Sequence, residues 1–144
     1  FDKIVQKYKV RKVKTIGDAY MCVGGISEKR RNHASEVCKV ALDMQRFVDA
    51  SNMQHEVLGK EPWELRIGIH SGGLIAGISG NSFDIWGDAV NIAARLESSS
   101  DPGKILISEK TKDYLEGVGK LSTRGEIALK GKGNWSTFFL ETMN

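Results

Sequence analysis

Cysteine is scarce in this chain of 144 residues: there are two, Cys22 and Cys38, both in apolar-patterned segments and without the spacing of metal ligands. That argues against a disulfide scaffold and fits a reduced, cytoplasmic setting. No apolar run approaches the ~18 residues of a membrane span, so any membrane contact is expected through other domains. No leader pattern opens the chain. It starts at Phe1 rather than at methionine, which suggests a piece of a longer protein. A strong excess of one charge is also missing. The formal net charge is +3, whereas nucleic-acid binders concentrate far more base on one face, so no nucleic-acid partner is expected. His33, His55 and His70 show no ligand spacing and are assigned to no metal. Glycines at 68, 72, 73, 77 and 80 hint at a phosphate cradle, but no Gly-Lys-Ser/Thr follows them, which rules against a P-loop. A close backbone approach between strands, or room for a bulky ligand, explains them more simply. Repeats and low-complexity segments are absent.

What is present describes one globular domain: 40% hydrophobic and 27% charged residues over a length that supports a normal core. Phe1, Ile4, Val5 and Tyr8 recur at helical spacing. Val10–Ile16 and Ala19–Val23 read as two strands joined by a Gly17-Asp18 turn, a hairpin with a carboxylate at its tip. Asn32 is a candidate cap for an amphipathic helix whose stripe is Ala34, Val37, Ala41, Met44 and Val48. The run Lys29-Arg30-Arg31 before it reads as a solvated helix entry, and 51–62 as a polar connection. Glu64–His70 alternates with Leu65, Ile67 and Ile69 on one face. Gly72-Gly73 is then expected to turn it into a returning strand, Leu74–Ile78. Later come a turn at Asp101-Pro102-Gly103, a short buried strand Ile105–Ile107, and a helix capped by Ser108. Two last strands, Gly125–Leu129 and Trp135–Leu140, flank the turn Lys130-Gly-Lys-Gly133. The plan is α+β: a mostly antiparallel sheet with helices mainly on one face.

The stretch from Phe83 to Glu97 stands apart. It begins as a strand, breaks at Gly87, and resumes as a helix with Asp88 as a candidate N-cap and Val90, Ala93, Ala94 and Leu96 as its apolar face. Asn91 and Arg95, four residues apart, project from one side of that helix. A carboxylate at Asp84 can read a base and a guanidinium can hold phosphate. Equally, the same residues describe an aspartate in a turn and a surface arginine. Asp18 can likewise be a turn residue, Lys14 a solvated strand lysine, and Trp86 a packing residue.

Four motifs together resemble one family. Lys12-Val-Lys-Thr-Ile-Gly-Asp-Ala-Tyr20 and Phe83-Asp-Ile-Trp-Gly-Asp-Ala-Val-Asn-Ile-Ala-Ala-Arg95 look like the two central motifs of class III nucleotide cyclases. Leu65-Arg-Ile-Gly-Ile-His-Ser-Gly72 and Leu129-Lys-Gly-Lys-Gly133 match two more, in the right order over nearly the whole chain.

The resemblance implies a ferredoxin-like sheet with an added hairpin, and a catalytic domain that forms cyclic nucleotides at two sites of a head-to-tail homodimer. Residue by residue, it makes Asp18 a metal ligand, Lys14 and Asp84 the purine readers, Asn91 the ribose-positioning residue and Arg95 the phosphate-stabilising one. Lys130 would reach the triphosphate, with Lys132 close enough to keep that assignment open. Two Mg²⁺ or Mn²⁺ ions per site are implied in a complete domain. Adenine offers an acceptor at N1 and a donor at its 6-amino group, which a lysine and a carboxylate complement. Guanylyl cyclases of the family carry Glu and Cys at these places, so ATP is the expected substrate and adenylate cyclase the expected activity in signal transduction. The alternatives are a guanylate cyclase and a non-catalytic cyclase-homology module. The family's first strand and its metal aspartate have no counterpart after Phe1. The domain over 1–144 is therefore expected to be N-terminally incomplete and inactive alone. The link 80–83 is shorter than in relatives, in a region that helps form the dimer arm.

Overall fold

A computed structural model describes residues 1–26, 33–115 and 117–143. The Asn32 cap and the Lys29–Arg31 run lie outside the described residues. The element order is α1 (Asp2–Lys7), β1 (Arg11–Ile16), β2 (Ala19–Val23), α2 (His33–Val57), β3 (Ile67–Ile69), β4 (Ile75–Ser79), β5 (Ser82–Trp86), α3 (Asp88–Ser99), β6 (Ile105–Ser108), α4 (Glu109–Tyr114), β7 (Gly119–Leu129) and β8 (Gly133–Met143). The α+β class and the antiparallel character hold: β6 with β8, β7 with β8, β1 with β2 and β4 with β5 are antiparallel.

Among the described residues the strands form three ladders. A four-stranded sheet runs β3-β6-β8-β7, and the hairpins β1-β2 and β4-β5 are separate. Both hairpins close with a two-residue turn whose first residue is a left-handed glycine, Gly17 (φ 58°) and Gly80 (φ 64°). That is the glycine placement of a type II′ turn, whose twist matches the strands it joins. The short link at 80–83 is thus a tight hairpin turn, with Ser79 opposite Ser82.

Strand β6 shows how the core is layered. All four of its residues are buried. Ile105 and Ile107 face a cluster with Ala34, Cys38, Ala41 and Leu42 of α2. Leu106 faces the opposite cluster with Ile92 and Leu96 of α3 and Ile127 and Leu129 of β7. Helices therefore cover both faces of the sheet, α2 and the end of α4 on one and α3 on the other. A strand buried on both sides cannot show alternation, which is why β6 reads as a plain apolar run. A third cluster joins Val5 and Val10 to Val40 and Met44, seating α1 and the β1-β2 hairpin on α2.

Three expectations are corrected. Helix α2 continues to Val57 instead of ending near residue 50. Its last turns are polar and largely exposed, and hydrophobic periodicity cannot report a helix that buries nothing there. Asn52 fixes the following chain by exchanging two hydrogen bonds with the backbone of Trp63, at 2.8 and 2.9 Å. Second, Gly72-Gly73 is no hairpin turn. Strand β3 covers just Ile67–Ile69 and pairs in parallel with β6, while β4 pairs with β5. Both arrangements satisfy the same alternation, and the choice lies in long-range partners. Third, α3 is preceded by Gly87 as its cap residue, at φ 132°, and Asp88 is its first helical residue. Ala89, Ile92 and Leu96 form its buried stripe, and Ala94 is exposed.

Gly68 decides how α3 meets the sheet. A Cβ there would overlap the backbone N of Glu97 and lie 2.8 Å from the Glu97 Cα. The close approach is strand to helix, not strand to strand. Gly68→Ala should lower stability by about 3 kcal/mol, because a rigid helix backbone has to move. Urea unfolding measures this; an unchanged midpoint would show that the helix yields freely.

Candidate active site

Strand β5, Gly87 and α3 form one continuous unit that delivers three of the predicted residues. Asp84 lies on β5, directly opposite Gly77 of β4. Asn91 and Arg95 lie on the exposed side of α3, opposite the stripe that packs on the sheet. Their shared direction follows from helical geometry, as the spacing predicts.

Lys14 of β1 comes to Asp84 from 70 residues away in sequence: its Nζ donates to Asp84 Oδ2 at 3.1 Å. Asp84 is pinned a second time, since its Oδ1 accepts from the Ile85 backbone N–H at 2.8 Å. That backbone bond, then Lys14, holds its carboxyl below the usual carboxylate range. Beside the pair, the Arg11 guanidinium lies 3.7 Å from the ring centre of Phe83, so two contacts dock the β1-β2 hairpin on β5. The result is a cation and an anion side by side at one hairpin edge.

Asp18 stands exposed at the tip of the β1-β2 hairpin, four residues beyond Lys14. At about 3.3 Å per strand residue, it is roughly 10 Å or more from that lysine. Among the described residues no three His, Cys, Asp or Glu side chains gather as a metal cluster. Lys130 is exposed in the β7-β8 turn. Lys132 differs: its Nζ donates to Asp88 Oδ2 at 2.8 Å, which sets this turn against the start of α3, one turn before Asn91. The 44-residue separation of Asp88 and Lys132 leaves no local signal, and the pair was not foreseen. Trp86, expected to pack, is 42% exposed beside Gly77, though its ring lies close to that glycine.

The chain matches the model of the adenylate and guanylate cyclase catalytic domain over residues 1–142. It belongs to that family. It is 42% identical over 144 residues to the human guanylate cyclase soluble subunit beta-2, covering 97% of this chain and 23% of that protein. Among solved structures, it is similar to the catalytic core of a rhodopsin-guanylyl cyclase with converted specificity in complex with ATPαS. That match has TM-score 0.88 and 34% identity, over 99% of this chain and 76% of the other. The adenylyl cyclase CyaB of P. aeruginosa superposes with TM-score 0.91 at 27% identity, over 99% and 77%. The cyclase domain thus spans under a quarter of the length of its human relative. No described helix is long and apolar enough to cross a membrane.

His70 directly follows β3. Its Nδ1 lies 2.7 Å from Ser108 Oγ, and its ring packs 5.4 Å from that of Trp135. Burial, with Lys110 nearby as a lesser cause, pushes its pKa down to about 4. The ring is neutral at neutral pH. The unfolded chain takes up the proton near 6.5 and the folded chain near 4, so stability should fall as pH drops through that window. Chemical unfolding at steps between pH 7 and 4 should show a shallower acid decline in His70→Gln than in the unaltered protein.

Proposed function

We propose that this domain cyclises a purine nucleoside triphosphate, with ATP as substrate. The observation that carries the reading is the Lys14–Asp84 pair at 3.1 Å. An adenine edge needs one donor for N1 and one acceptor for its 6-amino group, and the pair offers both within one chain. An unpaired buried polar group costs about 1–3 kcal/mol, which sets the scale of discrimination against guanine.

In this reading the 3′-hydroxyl of the ribose attacks the α-phosphate and pyrophosphate leaves. Asn91 positions the ribose. Arg95, exposed and on the same side of α3, donates to the phosphate oxygens as charge builds on them. Lys130 meets the triphosphate. Cyclases of this family use divalent metal. Asp18 is one hard oxygen donor on a protruding turn, and magnesium is commonly held by one or two carboxylates plus substrate phosphates. That chemistry fits one position for a single ion. It does not fit a two-ion site made by these residues alone. When bound, the ion offsets charge on the phosphates. Because Asp18 lies up the hairpin from Lys14, the reading includes a homodimer in which Asp18 of one copy faces the purine pair, Asn91 and Arg95 of the other.

A second reading has a specific observation behind it. The human relative at 42% identity is named a guanylate cyclase, and so is the parent of the structure solved with ATPαS. Kinship favours guanylate cyclase over adenylate cyclase, whereas the base-reading side chains favour ATP. The converted specificity named for that structure supports base choice being changeable on this fold.

Turnover of the whole protein, measured with ATP and GTP in parallel, with Mg²⁺ and with Mn²⁺, should favour cyclic AMP. Preferred GTP use would replace this reading with the second, and no turnover of either would favour a regulatory module. The double change Lys14→Glu, Asp84→Cys should move preference toward GTP; unchanged selectivity would remove the pair from base recognition. Arg95→Ala should cut turnover on the order of a hundredfold while leaving nucleotide affinity nearly intact, as single-turnover and equilibrium-binding measurements can separate.

A further inference from the structure

The turn Lys130–Gly133 carries two lysines, and the structure treats them differently. Lys132 is held at three points. Its Nζ donates to Asp88 at 2.8 Å, its carbonyl accepts from the Trp135 indole Nε1–H at 3.0 Å, and its N–H donates to the Leu129 carbonyl at 2.9 Å. Gly131 and Gly133 supply the left-handed backbone, φ 74° and 78°, that folds the turn back onto this bond pattern. The Trp135 ring in turn rests against His70, whose Nδ1 is tied to Ser108. Ser108 is fully buried and caps α4 by accepting from the Thr111 N–H, and Thr111 Oγ1 lies 3.0 Å from Ser71 Oγ. A chain of contacts therefore runs from the buried core to the tip of an exposed turn. Lys132 is thus engaged by the Asp88 carboxylate, and Lys130 is exposed on the same turn.

We infer that Asp88 and Trp135 are positioning residues for the Lys130–Gly133 turn, with Lys132 as the strut they grip and Lys130 as the cation offered to the nucleotide's triphosphate. The inference rests on the cyclase site proposed above. The ion pair is solvent-exposed and contributes little to overall stability. Its loss should show as misplacement of Lys130, not as unfolding.

The test is equilibrium binding of the full chain to α,β-methylene-ATP and to AMP, each paired with its guanine counterpart, with thermal unfolding run alongside. The unaltered chain should bind the triphosphate analogue more tightly than the monophosphate. Trp135→Phe keeps the ring and removes the N–H; Asp88→Asn keeps the shape and removes the charge. Each should weaken the triphosphate analogue about fivefold, with monophosphate affinity changed less than twofold. Lys130→Met should erase the triphosphate preference, and Lys132→Met should reproduce Asp88→Asn. If Trp135→Phe unfolds the chain, Asp88→Asn carries the test. Full preference retained in Asp88→Asn, tighter triphosphate binding there, or preference lost in Lys132→Met and kept in Lys130→Met overturns the inference while leaving the site standing. No triphosphate preference in the unaltered chain overturns the proposed site and the inference with it.

Discussion

Helix α3 can lie where it does because residue 68 has no side chain. The backbone of Glu97 occupies the space that a Cβ on β3 would need. That contact sets the distance between helix and strand, and the stripe Ala89, Ile92 and Leu96 sets the rotation. With distance and rotation fixed, Asn91 and Arg95 have one direction left, outward on the side away from the sheet. The orientation of the site is thus a consequence of packing beneath it. A helix that sat an ångström higher would carry the same residues in the same order and aim them elsewhere.

Around that helix the remaining parts are brought in by contacts of long sequence separation. Lys14 arrives on a hairpin docked to β5 by an ion pair and a cation–ring contact. The β7-β8 turn arrives by Lys132 and Asp88. These are exposed or half-exposed polar contacts, each of small worth for folding. Their value lies in placement: they couple three pieces of chain that share no hydrogen-bonded ladder among the described residues. The hydrophobic clusters beneath hold the pieces together, and the polar contacts select their register.

Substrate choice illustrates the difference between descent and chemistry. Overall identity sums over the core, where any purine cyclase needs the same packing. Base choice depends on a few polar atoms at one edge, which contribute almost nothing to that sum. A domain can therefore share 42% of its residues with a guanylate cyclase subunit while a lysine and an aspartate stand paired at one hairpin edge, and overall identity does not report what that pair recognises.

The local elements were legible in the sequence for a physical reason. The Gly17-Asp18 hairpin, the Ser108 cap and the stripe from Ala34 to Val48 are set by turn chemistry and periodicity over a few residues. The shared direction of Asn91 and Arg95 is equally local, because helical geometry fixes it. The last turns of α2 were missed because they bury little, and β3 was given the wrong partner because alternation does not say which edge it joins. The pairing of Lys14 with Asp84, the burial of β6 on both faces, the approach of α3 over Gly68 and the grip of Asp88 on Lys132 belong to the tertiary structure alone. Each depends on which distant segments become neighbours, and that is decided by how the apolar faces are buried together, not by any property of the segments taken singly.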